Sequence, residues 1–282
     1  MTATDRLARA LWAIREASGR FAAAAAGRRG ADGLDADVPS TPAWTVRDLA
    51  HHVGEVQEIA VHTWDAEAVG SLDLEARVPS CPEWSVRDLA HHIGEVQWYW
   101  GENVRAQNAA ERSGSELTAF PEDSDLLAWL GWCTYSVLGA LREAGPEAPC
   151  WTWWPGPHTA GAVGRHQAQE AAVHRWDAEG VTGTSGPLRP ELADDGVPEF
   201  MEIMVGADLA SLPGAVTLTA TDTGASWRVA GAGAGESSRV SELRASASDL
   251  VLMLYRRLPV PDVAVEGDPV LVAALLSLAD TR

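Results

Sequence analysis

An internal repeat constrains the fold of this chain more than any other feature of its sequence. The segment Val38–Gln57 recurs forty residues later as Val78–Gln97, and sixteen of the twenty positions are identical. In each copy a Pro-containing loop leads to Thr45 or Ser85, residue types that often cap the first turn of a helix. The repeat therefore predicts two similar loop–helix segments in a largely helical first half.

A second internal sequence similarity connects the first copy to a distant part of the chain. Residues 57–69 resemble residues 169–181, so the first copy joins two motifs that are kept some eighty residues apart elsewhere in the chain. This arrangement indicates a compressed duplication, whereas a long tandem array would repeat at one fixed period.

Hydrophobic periodicity predicts further helices over about residues 4–26, 125–143 and 164–179. Beyond residue 182 the pattern changes to short segments typical of a mixed fold. The predicted elements there are strands at 215–220, 226–230, 240–245 and 263–265, and helices at 191–204, 248–257 and 269–278. We therefore expect a helical bundle with an extra duplicated segment over residues 1–182, followed by a small α+β domain over residues 187–282.

The composition argues against several classes of function. The net charge is −19 over 282 residues, and no basic patch is visible that would bind nucleic acid or an anionic membrane. The three cysteines form neither a CxxC pair nor a disulfide framework. The chain also shows no signal peptide and no run of apolar residues long enough to span a bilayer. We therefore expect a cytoplasmic protein without a nucleic-acid or membrane partner.

Two residue types that bind metals, Glu and His, occur together on predicted helices. Glu170 and His174 lie four residues apart and share one helix face, and a carboxylate with an imidazole suits a divalent metal such as zinc. His91 and His92 are adjacent, so their side chains diverge by about 100° and only one faces a shared interior. Helical bundles build metal sites from facing helices. One of these histidines with Glu170 and His174 would supply three ligands and leave positions open.

Two stretches of the predicted helical region, Ser80–Gly94 and Glu170–Glu179, resemble the mycothiol-dependent maleylpyruvate isomerase family. Residues 220–227, 246–259 and 265–268 resemble the sterol-carrier-like C-terminal domain of the same family. The resemblance implies a DinB-like four-helix bundle with a His, Glu, His metal site, joined to a sterol-carrier-like α+β domain.

The resemblance also implies roles for individual residues. His92 matches the family's first metal ligand because it precedes an aliphatic–Gly pair, and Glu170 and His174 match the other two. Arg257, which precedes Leu-Pro, matches an arginine implicated in family active sites, and it could hold an anionic substrate through a two-pronged contact. Glu95, one turn beyond His92, is a further candidate acid or base.

The duplication leaves the first ligand open, since His52 occupies the same motif position as His92. We favour His92 because the second copy leads directly into the next helix, as in the family pattern, although the spacing from Met1 to the first copy also fits. The first copy carries a polar stripe at helical spacing, for which an outer face is favoured over a second metal site. The stripe consists of His51, Glu55, Glu58 and His62.

The resemblance implies thiol chemistry with mycothiol as the cofactor. The metal would bind the thiol and lower its pKa, and the resulting thiolate would attack a small electrophilic substrate. Isomerisation follows if the adduct rotates and expels the thiol, and transfer follows if it does not. Two alternatives stay open: a thiol-independent metalloenzyme of a biosynthetic or hydrolytic step, and a non-catalytic protein that binds a metal or small molecule.

Overall fold

The computed structural model describes residues 2–26, 37–38, 41–45, 74–117, 119–120, 122, 126–235 and 239–279. The chain divides into two units, the first containing residues 1–152 and 157–185, the second residues 153–156 and 186–282. Among the described helices, none is both long and apolar enough to cross a bilayer.

Four long helices make up most of the described part of the first unit. They are α1 (Ala3–Ala26), α2 (Val86–Ala106), α3 (Leu126–Ala144) and α4 (Ala160–Gly180). The three helices predicted around the repeat are thereby confirmed, although α4 begins one turn earlier than predicted. Helix α4 begins earlier because Thr159 caps its first turn: the Thr159 hydroxyl accepts a hydrogen bond from the Ala162 N–H. The DinB-like identity of this helical unit stays a prediction.

A hairpin precedes α2 where the sequence predicts only a loop. Strand β3 (Arg77–Val78) pairs antiparallel with β4 (Cys81–Ser85). In the first copy, β1 (Asp37–Val38) pairs with β2 (Thr41–Thr45) in the equivalent register and with the same irregularity. Prolines obscure these strands in the sequence, because Pro is tolerated only at sheet edges and bulges. The two copies therefore share the backbone structure of the hairpin, and the helix predicted after it in the first copy lies outside the described residues.

Helix α2 begins at Ser85, as the sequence predicts. The Ser85 hydroxyl accepts a hydrogen bond from the Asp88 N–H, and the Asp88 carboxylate accepts one from the Ser85 N–H, which completes a capping box. The apolar face of α2 then packs against α3 and the hairpin in one buried cluster. Its members are Val78, Val86, Leu89, Ala90, Ile93, Leu126, Trp129, Leu130, Cys133 and Ala178.

Buried polar side chains connect α1 to the other helices. Gln97 of α2 donates a hydrogen bond to the Ser18 hydroxyl of α1 at 2.8 Å. Glu179 of α4 forms an ion pair with the exposed Arg20 of α1 at 2.6 Å and another with Arg175, on α4 itself, at 2.8 Å. Helix α1 packs mainly against α4 and α3, and Gln97 adds a polar contact between α1 and the helix of the second copy.

A four-stranded sheet forms the centre of the second unit, with the strand order β6 (Ser226–Ala230), β5 (Gly214–Ala220), β7 (Arg239–Ala245), β8 (Val265–Gly267). Strand β5 pairs antiparallel with β6 and parallel with β7. The elements are α5 (Pro190–Phe200), a π-helical turn (Met201–Val205), a 3₁₀ turn (Gly206–Ser211), β5 (Gly214–Ala220), β6 (Ser226–Ala230), β7 (Arg239–Ala245), α6 (Ala247–Leu254), a 3₁₀ turn (Asp262–Ala264), β8 (Val265–Gly267) and α7 (Pro269–Leu276).

The predicted hairpin of the second unit is confirmed, with Leu218 opposite Trp227. The strand predicted at residues 263–265 is displaced, because pairing with β7 begins only where Val265 lies opposite Leu243. The residues before it form the second 3₁₀ turn. The mixed helix and sheet content agrees with the predicted α+β class, and the sterol-carrier-like identity stays a prediction.

Candidate metal centre

One group of donor side chains comes together in the first unit. A ring nitrogen of His92, a ring nitrogen of His174 and a carboxylate oxygen of Glu170 all lie within 4.8 Å of one another. Across the part of the chain that the structure describes, no other group of three His, Cys, Asp or Glu side chains could hold a metal ion. The fold therefore brings together the three residues that the sequence analysis proposes as ligands.

The packing of α2 selects one of its two adjacent histidines for this cluster. The rings of His92 and His174 are 4.9 Å apart, measured between centroids. His91 instead stacks on Phe120 at 4.6 Å and meets Trp129 edge-on. As predicted from the divergence of neighbouring helical side chains, only one histidine of the pair reaches the shared interior.

Asp177 and Ser80 form a second layer behind His174. The His174 Nδ1 atom lies 2.9 Å from Asp177 Oδ2, and the Ser80 hydroxyl donates to Asp177 Oδ1 at 2.6 Å. Asp177 is fully buried, and an ionised carboxylate only accepts hydrogen bonds, so Nδ1 carries a proton whether the ring is neutral or charged. Nε2 is then left to face Glu170, 3.2 Å from Oε2. Outer carboxylates of this kind orient metal-binding imidazoles.

The hairpin of the second copy explains how Ser80 reaches Asp177, which lies 97 residues further along the chain. Ser80 is in the turn between β3 and β4, two residues after the fully buried Val78. Val78 belongs to the same hydrophobic cluster as Ala178, the neighbour of Asp177. Apolar packing of the hairpin against the end of α4 thus places the Ser80 hydroxyl beside the carboxylate.

Close pairing moves the pKa values of Glu170 and His174 in opposite directions. Burial by itself raises the pKa of Glu170, but the hydrogen bond and charge of His174, with the charges of His166 and His92, hold that pKa well below its usual range. Burial by itself lowers the pKa of His174, but hydrogen bonds to Asp177 and Glu170 raise it to about 9. Without a cation, Glu170 and His174 therefore form an ion pair at neutral pH.

The cluster is only partly shielded from solvent. Glu170 keeps 20% of its side chain exposed and His92 is half-buried, whereas His174 is buried. The Trp84 ring, from the end of β4, lies 4.8 Å from the His92 ring and stacks on the His174 ring at 6.1 Å. A small molecule can thus approach His92 and Glu170 alongside an aromatic wall.

A third histidine borders Glu170 from the other side. His166 Nε2 lies 3.9 Å from Glu170 Oε1, and the His166 side chain is almost fully buried. The two oxygens of the Glu170 carboxylate therefore face different imidazoles, Oε2 toward His174 and Oε1 toward His166.

Other predicted site residues do not belong to this cluster. Glu95 is exposed on α2 and is not a member of the donor group. His52, the alternative first ligand, lies outside the described residues, as does the polar stripe of the first copy. The roles suggested for both residues stay predictions.

Arg257 lies in the second unit, just beyond α6. This helix ends three residues earlier than predicted, because Arg256 adopts a left-handed backbone with φ +58° and donates hydrogen bonds to the Leu276 carbonyl. The half-buried Arg257 donates from Nη1 to the Tyr255 carbonyl at 2.9 Å. Its contact with a substrate stays a prediction.

Sequence reasoning missed Asp177, Ser80, Trp84 and His166. A local signal exists for two of them: Asp177 follows His174 by three residues and His166 precedes Glu170 by four, both spacings that share a helix face. Ser80 and Trp84 carry no such signal, because their contacts with α4 depend on the position of the hairpin.

Comparison with known proteins identifies the family. A sequence model described as the mycothiol maleylpyruvate isomerase N-terminal domain matches residues 14–73 and, a second time, residues 66–179. The first range contains the first copy of the repeat, and the second contains the second copy with His92, Glu170 and His174. No curated protein and no solved structure shows a significant match to the chain. The two ranges together cover more than half of the chain, which therefore belongs to the mycothiol maleylpyruvate isomerase family.

Proposed function

We propose that this protein is a metal-dependent, mycothiol-using transferase or isomerase that acts on a small electrophilic substrate. The observation that carries the proposal is the convergence of the His92, Glu170 and His174 donor atoms within 4.8 Å. Family membership supports the thiol part, because mycothiol appears in the family's own description.

The donor set fits a divalent cation, most naturally zinc. Two imidazole nitrogens and one carboxylate oxygen are the ligand types of catalytic zinc sites, which keep further positions open. A cation bound there would lower the pKa of a thiol ligand and so supply a thiolate at neutral pH.

The protein's own residues would prepare this site. Asp177 holds His174 by Nδ1, so that Nε2 points to Glu170 and is available as a ligand. Trp84 covers one side of both imidazoles and limits access of water from that direction. The 20% exposure of the Glu170 side chain supports entry of ligands from the solvent side.

Two further residues are proposed to act on the substrate. We assign Arg257 to binding of an anionic substrate, since a guanidinium can grip a carboxylate with two parallel hydrogen bonds. Glu95 is the proposed acid or base; its position one turn after His92 and its exposure on α2 support access to a substrate proton.

The first test compares metal content in the purified wild-type protein and in His92→Ala and His52→Ala variants. We expect about one zinc ion per chain in the wild type and in His52→Ala, and loss of the ion in His92→Ala. Loss only in His52→Ala would assign the first ligand to the other copy. A wild-type protein that binds no divalent ion would contradict the proposal.

The second part of the test addresses the thiol. Protein loaded with Co²⁺ should develop a sulfur-to-cobalt charge-transfer band when mycothiol is added, because a thiolate would enter an open coordination position. Retention of the cobalt spectrum without any such band would favour the thiol-independent metalloenzyme.

A further inference from the structure

His166 extends the metal-site face of α4 by one turn. His166, Glu170 and His174 follow one another at intervals of four residues, so their side chains project from the same side of the helix. Glu170 is the middle member, with one oxygen toward each imidazole. His166 itself is not part of the group whose donor atoms lie within 4.8 Å of one another.

Aromatic side chains hold His166 in place. The ring of Trp100, from α2, meets the His166 ring edge-on with 6.1 Å between centroids. Trp100 is itself only 3% exposed and stacks on Trp151 at 6.4 Å. A buried imidazole packed in this way has little freedom to turn, so its Nε2 atom is kept on the Glu170 side.

We infer that His166 is a positioning residue for Glu170: it binds Oε1, so that the carboxylate presents Oε2 alone to the cation. The inference rests on the proposed metal site. Metal-binding carboxylates in proteins are themselves hydrogen bonded by outer residues, and loss of such a partner typically weakens metal binding by about 10–100-fold.

The distance between the two groups allows this role. The 3.9 Å from His166 Nε2 to Glu170 Oε1 exceeds a hydrogen bond by about 1 Å. The terminal torsion of a glutamate is soft, so a small rotation of the carboxylate can close the gap without moving the backbone of α4. A carboxylate held at one oxygen leaves more of the coordination sphere open than one that binds the ion through both.

The test replaces His166 in two ways and measures Zn²⁺ affinity by competition with a chelator, together with the Co²⁺ absorption spectrum. His166→Phe keeps a ring against Trp100 but removes the N–H, and we expect affinity to fall by about 10–100-fold with an altered spectrum. His166→Gln places an amide N–H at about the reach of Nε2 and should restore most of the affinity. Equal weakness of the Gln and Phe variants would overturn the inference.

A matched control removes a histidine elsewhere in the same unit. His158 pairs with Thr152 at 2.6 Å and is not part of the donor group, so His158→Phe should bind zinc like the wild type. An equal loss in His158→Phe, or a His166→Phe variant with wild-type affinity and spectrum, would overturn the role of His166. Failure of the wild type itself to bind zinc would instead refute the proposed function.

Discussion

At the scale of single residues, the proposed site depends on how His174 uses its two ring nitrogens. Nδ1 pairs with the buried Asp177, and Nε2 faces Glu170. Between two carboxylates the protonated imidazole is favoured, which raises the pKa of His174 to about 9. A cation at the cluster must therefore replace a proton as well as water.

The apparent affinity for zinc should rise with pH up to about 9. A zinc ligand must be a neutral imidazole, so binding releases the His174 proton at any pH below its pKa. One proton released per ion corresponds to about tenfold tighter binding for each pH unit. Chelator competition at about pH 6 and about pH 8 measures this slope.

Calorimetry in buffers of different ionisation enthalpy provides the control, because it counts the released protons directly. An affinity that does not change between the two pH values, with no proton released, would show that His174 is already neutral in the metal-free protein.

At the scale of secondary-structure elements, α2 is positioned by a close contact as well as by its cap. A Cβ atom built on Gly94 would lie 2.2 Å from the Trp129 ring of α3. Only a glycine lets the indole approach the backbone here. The contact lies two residues from His92, so the packing of α2 on α3 and the position of the first proposed ligand are connected.

Replacing Gly94 with alanine should destabilise the first unit. The new methyl group must displace the Trp129 ring, and overpacking of this kind costs roughly 1–3 kcal/mol of unfolding free energy. Gly139→Ala, on α3, is the matched control because a Cβ atom there meets nothing within 4 Å. We expect the control to stabilise by about 0.5–1 kcal/mol, as alanine replaces a helical glycine.

Urea unfolding of both variants measures these differences. Equal stability of Gly94→Ala and the wild type would show that Trp129 adopts another rotamer at no cost, and that the close contact does not position α2.

At the scale of the whole molecule, the first copy of the repeat is inserted between α1 and the helices it packs with. The three proposed metal ligands lie in the second copy or after it in the chain. Helix α1 also forms a buried hydrogen bond with Gln97 of the second copy. The two hairpins share a register, with Asp37 opposite Thr45 as Arg77 is opposite Ser85.

Deleting residues 38–77 should therefore preserve the fold of the first unit and its metal content. The deletion joins Asp37 to Val78, so that Asp37 takes the position of Arg77 in the hairpin. Residues 34–36, Leu-Asp-Ala, then replace residues 74–76, Leu-Glu-Ala. Zinc stoichiometry and the thermal unfolding transition of the shortened protein test this expectation.

The outcome shows whether the first copy is only an insertion or contributes to the metal site. A shortened protein that unfolds cooperatively like the wild type but has lost its zinc would show that the first copy contributes to the site. His92→Ala in the shortened background is the control, and we expect it to remove the zinc.

Local patterns predicted much of this molecule. Helices around the repeat and the hairpin of the second unit follow from hydrophobic periodicity, which depends on neighbours in sequence. The short strands β3 and β8 were missed or displaced, because two or three residues carry too little pattern to be recognised. Their positions follow from pairing with distant residues, such as Leu243 opposite Val265.

The sequence by itself determined the helices, the repeat and the choice of Glu170 and His174 as a pair, since a spacing of four residues places two side chains on one helix face. The resemblance implied His92, but only the tertiary structure decided how its ring turns toward them while His91 faces Phe120, and that Ser80 reaches Asp177. The physical reason is that these contacts join segments far apart in the chain. They depend on how α2, α4 and the hairpin pack together, and no local pattern records that packing.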